Sequence, residues 1–237
     1  MKSPLASHRD RILAQKAATQ AAESGEDTMD GQSQYNLMLA QLAEHKRSLK
    51  GIQSEEKRQS VKVDYLPEYA DYIEGALAAD SGVQDNVLMY QMVWHIDCQS
   101  YATALDLLAY AVKHKLTMPE NFNRTPATLV TEQIAEAALS TKDMGVELKH
   151  LEELDSIINA EDKPELSDVL DMPDQVRAKF YRAFGELMPE TDKASALALF
   201  NRAIELDEGV GCKGAANTLA KQIKAEAKQI DAAEAKE

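Results

Sequence analysis

VQDNVLMYQMVWHIDCQSYATALDLLAYAVKHKLTMP, residues Val83 to Pro119, decides the fold. It holds the only tryptophan, three of the nine methionines and one of the two cysteines. Val87, Leu88, Met92 and Ile96 recur in it at helical spacing, and Met89, Val93 and Trp94 widen the stripe until most of the helix surface is apolar. A helix apolar nearly all round belongs inside a domain. After the polar break Cys98-Gln99-Ser100, a second 3.6-residue period runs through Leu105, Leu108, Ala109 and Val112. It closes on Lys113, His114 and Lys115, cations suited to the negative end of a helix dipole. The stretch predicts an antiparallel helical hairpin at the middle of an all-α core.

Working outward, residues 63–160 read as one central helical core. Before the hairpin, Pro67 marks the start of a helix whose face carries Tyr69, Tyr72, Ile73, Ala76 and Leu77, closed by Asp80-Ser81-Gly82. Its carboxylates Asp64, Glu68, Asp71 and Glu74 lie three or four apart, as a solvated helix side does. After the hairpin, Thr125-Pro126 is a helix-start pair for a segment to Ser140 burying Leu129, Ile134, Ala138 and Leu139. Val146 to Ile158 makes another amphipathic helix, and the acidic, proline-containing run at 161–173 reads as a linker. Residues 174–230 form a C-terminal helical unit, in which Ala194, Leu197, Phe200, Ala203, Ile204 and Leu206 follow the small/large alternation of a tetratricopeptide-type helix. A tail with balanced charges occupies 231–237. The expected architecture is a multi-helix bundle of antiparallel helical hairpins with a tetratricopeptide-like C-terminal unit.

Over residues 33–62 the side chains Tyr35, Met38, Leu42, His45, Leu49 and Ile52 fall at alternating spacings of three and four, a heptad seam. The same segment carries Lys46, Arg47, Lys50, Lys57, Arg58 and Lys62, the densest basic cluster in the chain. It reads either as a solvated face paired with Glu44, Glu55 and Glu56 or as a surface that tracks phosphates. Residues 1–32 form an arm, basic through Arg9, Arg11 and Lys16 and then acidic, expected to be flexible.

The chain of 237 residues is 44% hydrophobic and carries a net charge of −14. That average hides an asymmetry. Residues 1–62 hold ten Lys and Arg against eight Asp and Glu, a net of +2, while residues 63–237 hold sixteen against thirty-two, a net of −16. A mildly basic arm is joined to an acidic body. No run of about 18 apolar residues spans a membrane. Absence of an apolar leader and of close-spaced cysteines leads us to expect a reduced cytoplasmic protein with Cys98 and Cys212 free. There is no phosphate loop, no GxGxxG turn, no HExxH and no CxxC. The histidines are scattered, and His95 reads as a hydrogen-bonded core residue. The residues alone therefore carry no enzyme signature, metal site or cofactor site.

QDNVLMYQMVWHID (84–97), the helix from Ala104 to KHKLTMP (113–119), RTPATLVTEQIAEAAL (124–139) and DMPDQVRAKFYRAFG (171–185) together resemble the phage small terminase subunit family. The branch is that of cos-packaging phages with contractile tails, often labelled the terminase endonuclease subunit. The similarity runs from about Tyr35 to Leu206. The resemblance implies viral genome packaging: a homo-oligomer, usually a ring, that recognises the cos site on concatemeric double-stranded viral DNA in the host cytoplasm. It hands that DNA to a large ATPase subunit, which fits the missing phosphate loop. DNA contacts would fall on Arg9, Arg11, Lys16, Lys46, Arg47, Lys50, Lys57, Arg58 and Lys62. Tyr35, Met38, Leu42, Leu49, Ile52, Tyr65, Tyr69 and Tyr72 are the expected oligomer interface. Two alternatives stand beside this adaptor: an endonuclease that cuts cos itself with Mg²⁺, and a scaffold for the large subunit or portal that never touches DNA. No catalytic residue can be named, since choosing among Asp64, Asp71, Asp85 and Asp97 has no motif behind it.

Overall fold

The computed structural model describes residues 29–159 and 164–234, and among these every regular element is helical. The helices are α1 (Met29–Lys50), α2 (Glu55–Tyr65), α3 (Ala70–Ala79), α4 (Asn86–Asp97), α5 (Tyr101–Lys113), α6 (Pro126–Ala138) and α7 (Leu148–Ile158), then α8 (Ser167–Leu170), α9 (Asp174–Leu187), α10 (Lys193–Leu206) and α11 (Lys213–Glu234). Short 3₁₀ turns occupy Leu66–Glu68 and Pro164–Leu166. The chain divides into two compact units, one running to Val130 and including Asn159–Leu170, the other made of Thr131–Ile158 and Asp171 onward. The first division falls inside α6, and the run at 161–173 contains one of the three crossings.

The first unit is organised on α4. Every residue from Val87 to Ile96 is buried, as the all-round apolar pattern requires. Asp85 caps the helix: its Oδ1 accepts from the backbone N–H of Val87 at 2.8 Å and of Leu88 at 3.0 Å. α5 packs on α4 through Tyr101, Ala104, Leu105, Leu108 and Val112, whereas Ala109, placed by spacing on the inner face, is exposed. Gly82 sits at φ 71, and a Cβ there would lie 2.6 Å from His114 Nδ1, so the turn after α3 needs both the left-handed backbone and the missing side chain. The Gln84 amide ties that turn to the exit of α5, accepting from Thr117 N–H and donating to its carbonyl, each at 2.9 Å.

The heptad segment is two helices. α1 ends at Lys50, Gly51 and Ile52 turn back onto the carbonyls of Ser48 and Leu49, and Ser54 caps α2 by accepting from Lys57 N–H at 3.3 Å. Met38, Leu42 and Leu49 of α1 are buried, and α1 packs on α4.

The second unit is built on α9 and α10, the most closely packed pair in the chain. Gly185 makes the approach possible, because a Cβ there would stand 2.7 Å from the Phe200 ring. Phe200, Ala203, Cys212 and Ala216 form a core joined by Tyr181, Leu197, Ile204, Val210 and Leu219, which seats the first half of α11 against α10. Asp192 caps α10 through Ser195 N–H at 3.1 Å. Arg182 donates to the Val210 carbonyl at 2.9 Å and holds the loop that leads into α11.

Candidate nucleic-acid interface

Lys46, Arg47, Lys50, Lys57 and Arg58 are gathered at the end of α1, the Gly51–Ser54 turn and the start of α2. Arg47 and Lys50 lie in the last turn of α1, where a cation offsets exposed carbonyls. Their engagements differ. Lys46 Nζ rests 3.7 Å from the centroid of the Tyr90 ring, whose hydroxyl donates to Asn121 Oδ1 and whose edge meets Phe122. Arg47 pairs with Glu44 and Arg58 with Glu55, the latter at 3.6 Å, both one turn apart on exposed helix surface. Pairs of this kind are worth about 0.2–1 kcal/mol and yield readily to a phosphate. Among the described residues the Lys50 and Lys57 ammonium groups enter no ion pair or side-chain hydrogen bond, and the Lys57 backbone N–H donates to Ser54.

Lys62 departs from the set. Its ammonium turns inward to Asp97, with the lysine side chain 18% exposed, and ties the end of α2 to the end of α4. Its ammonium is engaged by a carboxylate of the chain's own, unlike that of Lys50. Arg9, Arg11 and Lys16 lie outside the described residues.

The proposed interface aromatics serve the chain's own core. His45 stacks on Tyr65 with ring centroids 3.7 Å apart, is hydrogen-bonded through Nδ1 to the Tyr69 hydroxyl at 2.9 Å, and Tyr69 meets Trp94 edge-on. Burial pushes the His45 imidazole below its usual pKa and the Tyr69 phenol above its own. Tyr72 donates to Asp85 Oδ2, and Asn86 N–H reaches the Tyr35 hydroxyl. Met38, Leu42, Leu49, Tyr69 and Tyr72 are each less than a tenth exposed, so they have little area left for a neighbour; Tyr35, Ile52 and Tyr65 are half-buried. Among the described residues the large apolar side chains that remain outward on α1 and α2 are Leu37, 60% exposed, and Val63, 50% exposed.

The carboxylates weighed in the sequence fall at different places in the fold. Asp64, Glu68, Asp71 and Glu74 are spread over α2, a 3₁₀ turn and α3, and Glu68 accepts from Gln41 at 2.7 Å. Asp85 is a cap and Asp97 an ion-pair partner. Among the described residues no three His, Cys, Asp or Glu side chains converge as metal ligands. Burial pushes the Cys98 thiol up to about 11, away from nucleophilic thiolate. His95 is buried, as expected, but neither ring nitrogen has a hydrogen-bond partner, nor does the amide of Gln91 one turn earlier on α4. Tyr90 is the residue that spacing alone could not assign to the basic surface, because its meeting with Lys46 exists only once α1 lies on α4.

An all-helical fold with a cation-rich turn is what the structure brings to the comparisons with known proteins. The chain belongs to the phage small terminase subunit family: that family's model matches residues 39–166. It is also 35% identical over 226 residues to a protein of Escherichia phage P2 named "Terminase, endonuclease subunit", with 94% of this chain and 87% of the relative covered. No solved structure matches the chain.

Proposed function

We propose that this chain is the DNA-recognition subunit of a phage packaging machine: it binds the cos site of concatemeric viral DNA in the host cytoplasm and delivers it to a large ATPase subunit. The observation that carries this reading is the turn between α1 and α2, where Lys50 and Lys57 stand exposed and enter no ion pair among the described residues, in a chain with a net charge of −14. Lys46, Arg47 and Arg58 extend it, and Arg9, Arg11 and Lys16 of the N-terminal arm add to it. A patch of this size is weak alone, and a homo-oligomer, in ring form, multiplies it by avidity. Leu37 and Val63 are the side chains of the basic segment free to meet the next subunit. The C-terminal unit serves as a tetratricopeptide-like packing module of the helical bundle, with Gly185 against Phe200 in the role of its small/large contact.

Gel retention of a cos-containing duplex by wild type and by a Lys46→Gln/Arg47→Gln/Lys50→Gln variant tests the reading. Six to ten phosphate contacts across an assembly give an affinity loss of about 10³–10⁵ between 50 and 200 mM salt, and the variant must flatten that dependence. Equal retention of both proteins at every salt concentration overturns it and favours the scaffold role. The printed name of the phage P2 protein favours a second reading, a Mg²⁺-dependent endonuclease. Cleavage of the same fragment by the purified chain with Mg²⁺ alone supports it, and an intact fragment across metal and protein concentrations removes it.

A further inference from the structure

The C-terminal helix carries a second basic surface that the balanced composition of the tail conceals. α11 holds four lysines, and up to residue 229 a single carboxylate, Glu226, with Asp231 and Glu234 following at its end. Ala216, Leu219 and Ile223 mark the side of α11 turned inward, with Ala216 and Leu219 set on the Phe200 core and Ile223 half-buried. Lys221, Lys224 and Lys228, spaced three and four apart, line up on another side, and all three are exposed. At about 1.5 Å rise per residue the row is roughly 10 Å long, two turns of helix. Asn217 begins the row, and Gly214, Ala220, Ala225 and Ala227 border it with side chains too small to stand in front of the ammonium groups.

The pairing pattern distinguishes this row from an ordinary solvated face. Other cations in this part of the chain are paired: Lys213 with Glu208 at 3.0 Å, Lys193 with Glu226, and Arg202 with Glu205. Glu226 lies on a different side of α11 from the row and is held by Lys193. Lys221, Lys224 and Lys228 enter none of the ion pairs of the described residues, in a body where carboxylates outnumber Lys and Arg two to one. Three like charges within two turns repel one another, so an apo helix bears a small cost that a bound polyanion removes.

We infer that Lys221, Lys224 and Lys228 of α11 form a second DNA-backbone contact surface, separate in sequence from the α1–α2 turn and supplied by the other compact unit. The inference rests on the reading of this protein as a DNA-recognition subunit. The surface takes phosphates without regard to base sequence, since lysine ammonium groups on an exposed helix make point-charge contacts.

The test compares wild type with Lys221→Gln/Lys224→Gln/Lys228→Gln, the corresponding all-Arg variant, and the Lys46→Gln/Arg47→Gln/Lys50→Gln variant, on a duplex of about 40 base pairs at graded salt. Loss of three phosphate contacts makes the slope of log affinity against log salt shallower by about 2.7 per subunit engaged, and the all-Arg variant keeps the wild-type slope. Acetylation of the three lysines, read by mass spectrometry, must also be suppressed by the duplex. If the α11 Gln variant keeps the wild-type slope and its lysines acetylate equally with and without DNA, the inference is overturned while the α1–α2 reading stands on its own variant. If wild type binds no DNA at any salt concentration, both are overturned, and an acidic protein partner becomes the occupant of the row.

Discussion

The hydroxyl of Tyr72 on α3 donates to Oδ2 of Asp85, while Oδ1 of the same carboxylate accepts from the two N–H groups at the start of α4. One side chain thus caps the most buried helix in the chain and fastens the preceding helix to that cap. Asp85→Ala removes three hydrogen bonds at once, leaving two helix donors and a phenol unsatisfied in a largely buried place. The expected loss is about 2–3 kcal/mol. Asp85→Asn keeps an acceptor oxygen for the cap, and Tyr72→Phe keeps the cap whole, so each should cost about 1 kcal/mol. Urea denaturation of the three variants checks the order, and a loss for Asp85→Ala no greater than for Tyr72→Phe would show that the cap carries nothing.

His95 gives a pH prediction with a definite sign. Burial holds its imidazole down to about 4 from an ordinary 6.5, so in the folded chain it stays neutral while the unfolded chain takes up a proton. The unfolded state binds more protons between those two values, and stability therefore falls as pH drops from 6.5 towards 4, by up to about 3 kcal/mol from this group. His45 and His150, also lowered by burial, act in the same direction; Asp85, raised by burial, acts oppositely at pH values above 3.8. His95→Leu removes two unpartnered ring nitrogens and the proton linkage together. It should leave stability at pH 7 unchanged or higher and make the acid limb of a stability–pH curve shallower. An unchanged acid limb would mean that His95 is solvated in the native protein.

The sequence makes α4 legible because ten consecutive buried positions need no partner to be recognised; hydrophobicity around the whole helix suffices. The basic segment is less so. Heptad spacing continues through Gly51, but a glycine and a Ser54 cap cost a helix more than two weak heptad positions return, and the chain turns. Composition treats Lys50 and Lys62 alike, and only the arrival of Asp97 from α4 separates the exposed cation from the paired one. Tyr69 and Tyr72 look like interface aromatics in the sequence because an amphipathic ring suits both a subunit contact and a polar-tipped core, and the difference lies in where His45 and Asp85 come to rest.

Lys50 and Lys62 should accordingly behave as opposites. Lys62→Gln leaves Asp97 partly buried without its cation, and a loss of about 1–2 kcal/mol in stability is expected with the salt dependence of DNA binding unchanged. Lys50→Gln removes only an exposed helix-end cation and should lower stability by no more than about 0.3–1 kcal/mol while reducing the salt slope by about 0.9. Paired denaturation and salt-titration curves decide the matter. A DNA-binding slope reduced equally by both substitutions would mean that the Lys62–Asp97 pair opens to reach phosphate.

Gly185 offers a test of the second unit that is independent of DNA. A Cβ at this position would fall 2.7 Å from the Phe200 ring, a distance that forces α9 and α10 apart or drives the ring off its rotamer. The strain should appear as about 1–3 kcal/mol of destabilisation in Gly185→Ala, despite the better helix propensity of alanine. Phe200→Leu alone should cost about 1–2 kcal/mol for the lost ring in the Phe200–Ala203–Cys212–Ala216 core. In the double variant the methyl group introduced by Gly185→Ala occupies space the ring has left, so the two losses should not add: the pair should be more stable than their sum by about 1 kcal/mol or more. Strict additivity in that cycle would mean that the α9–α10 approach is set elsewhere, at contacts such as Ala178 and Ala203, and that Gly185 is tolerated there rather than required.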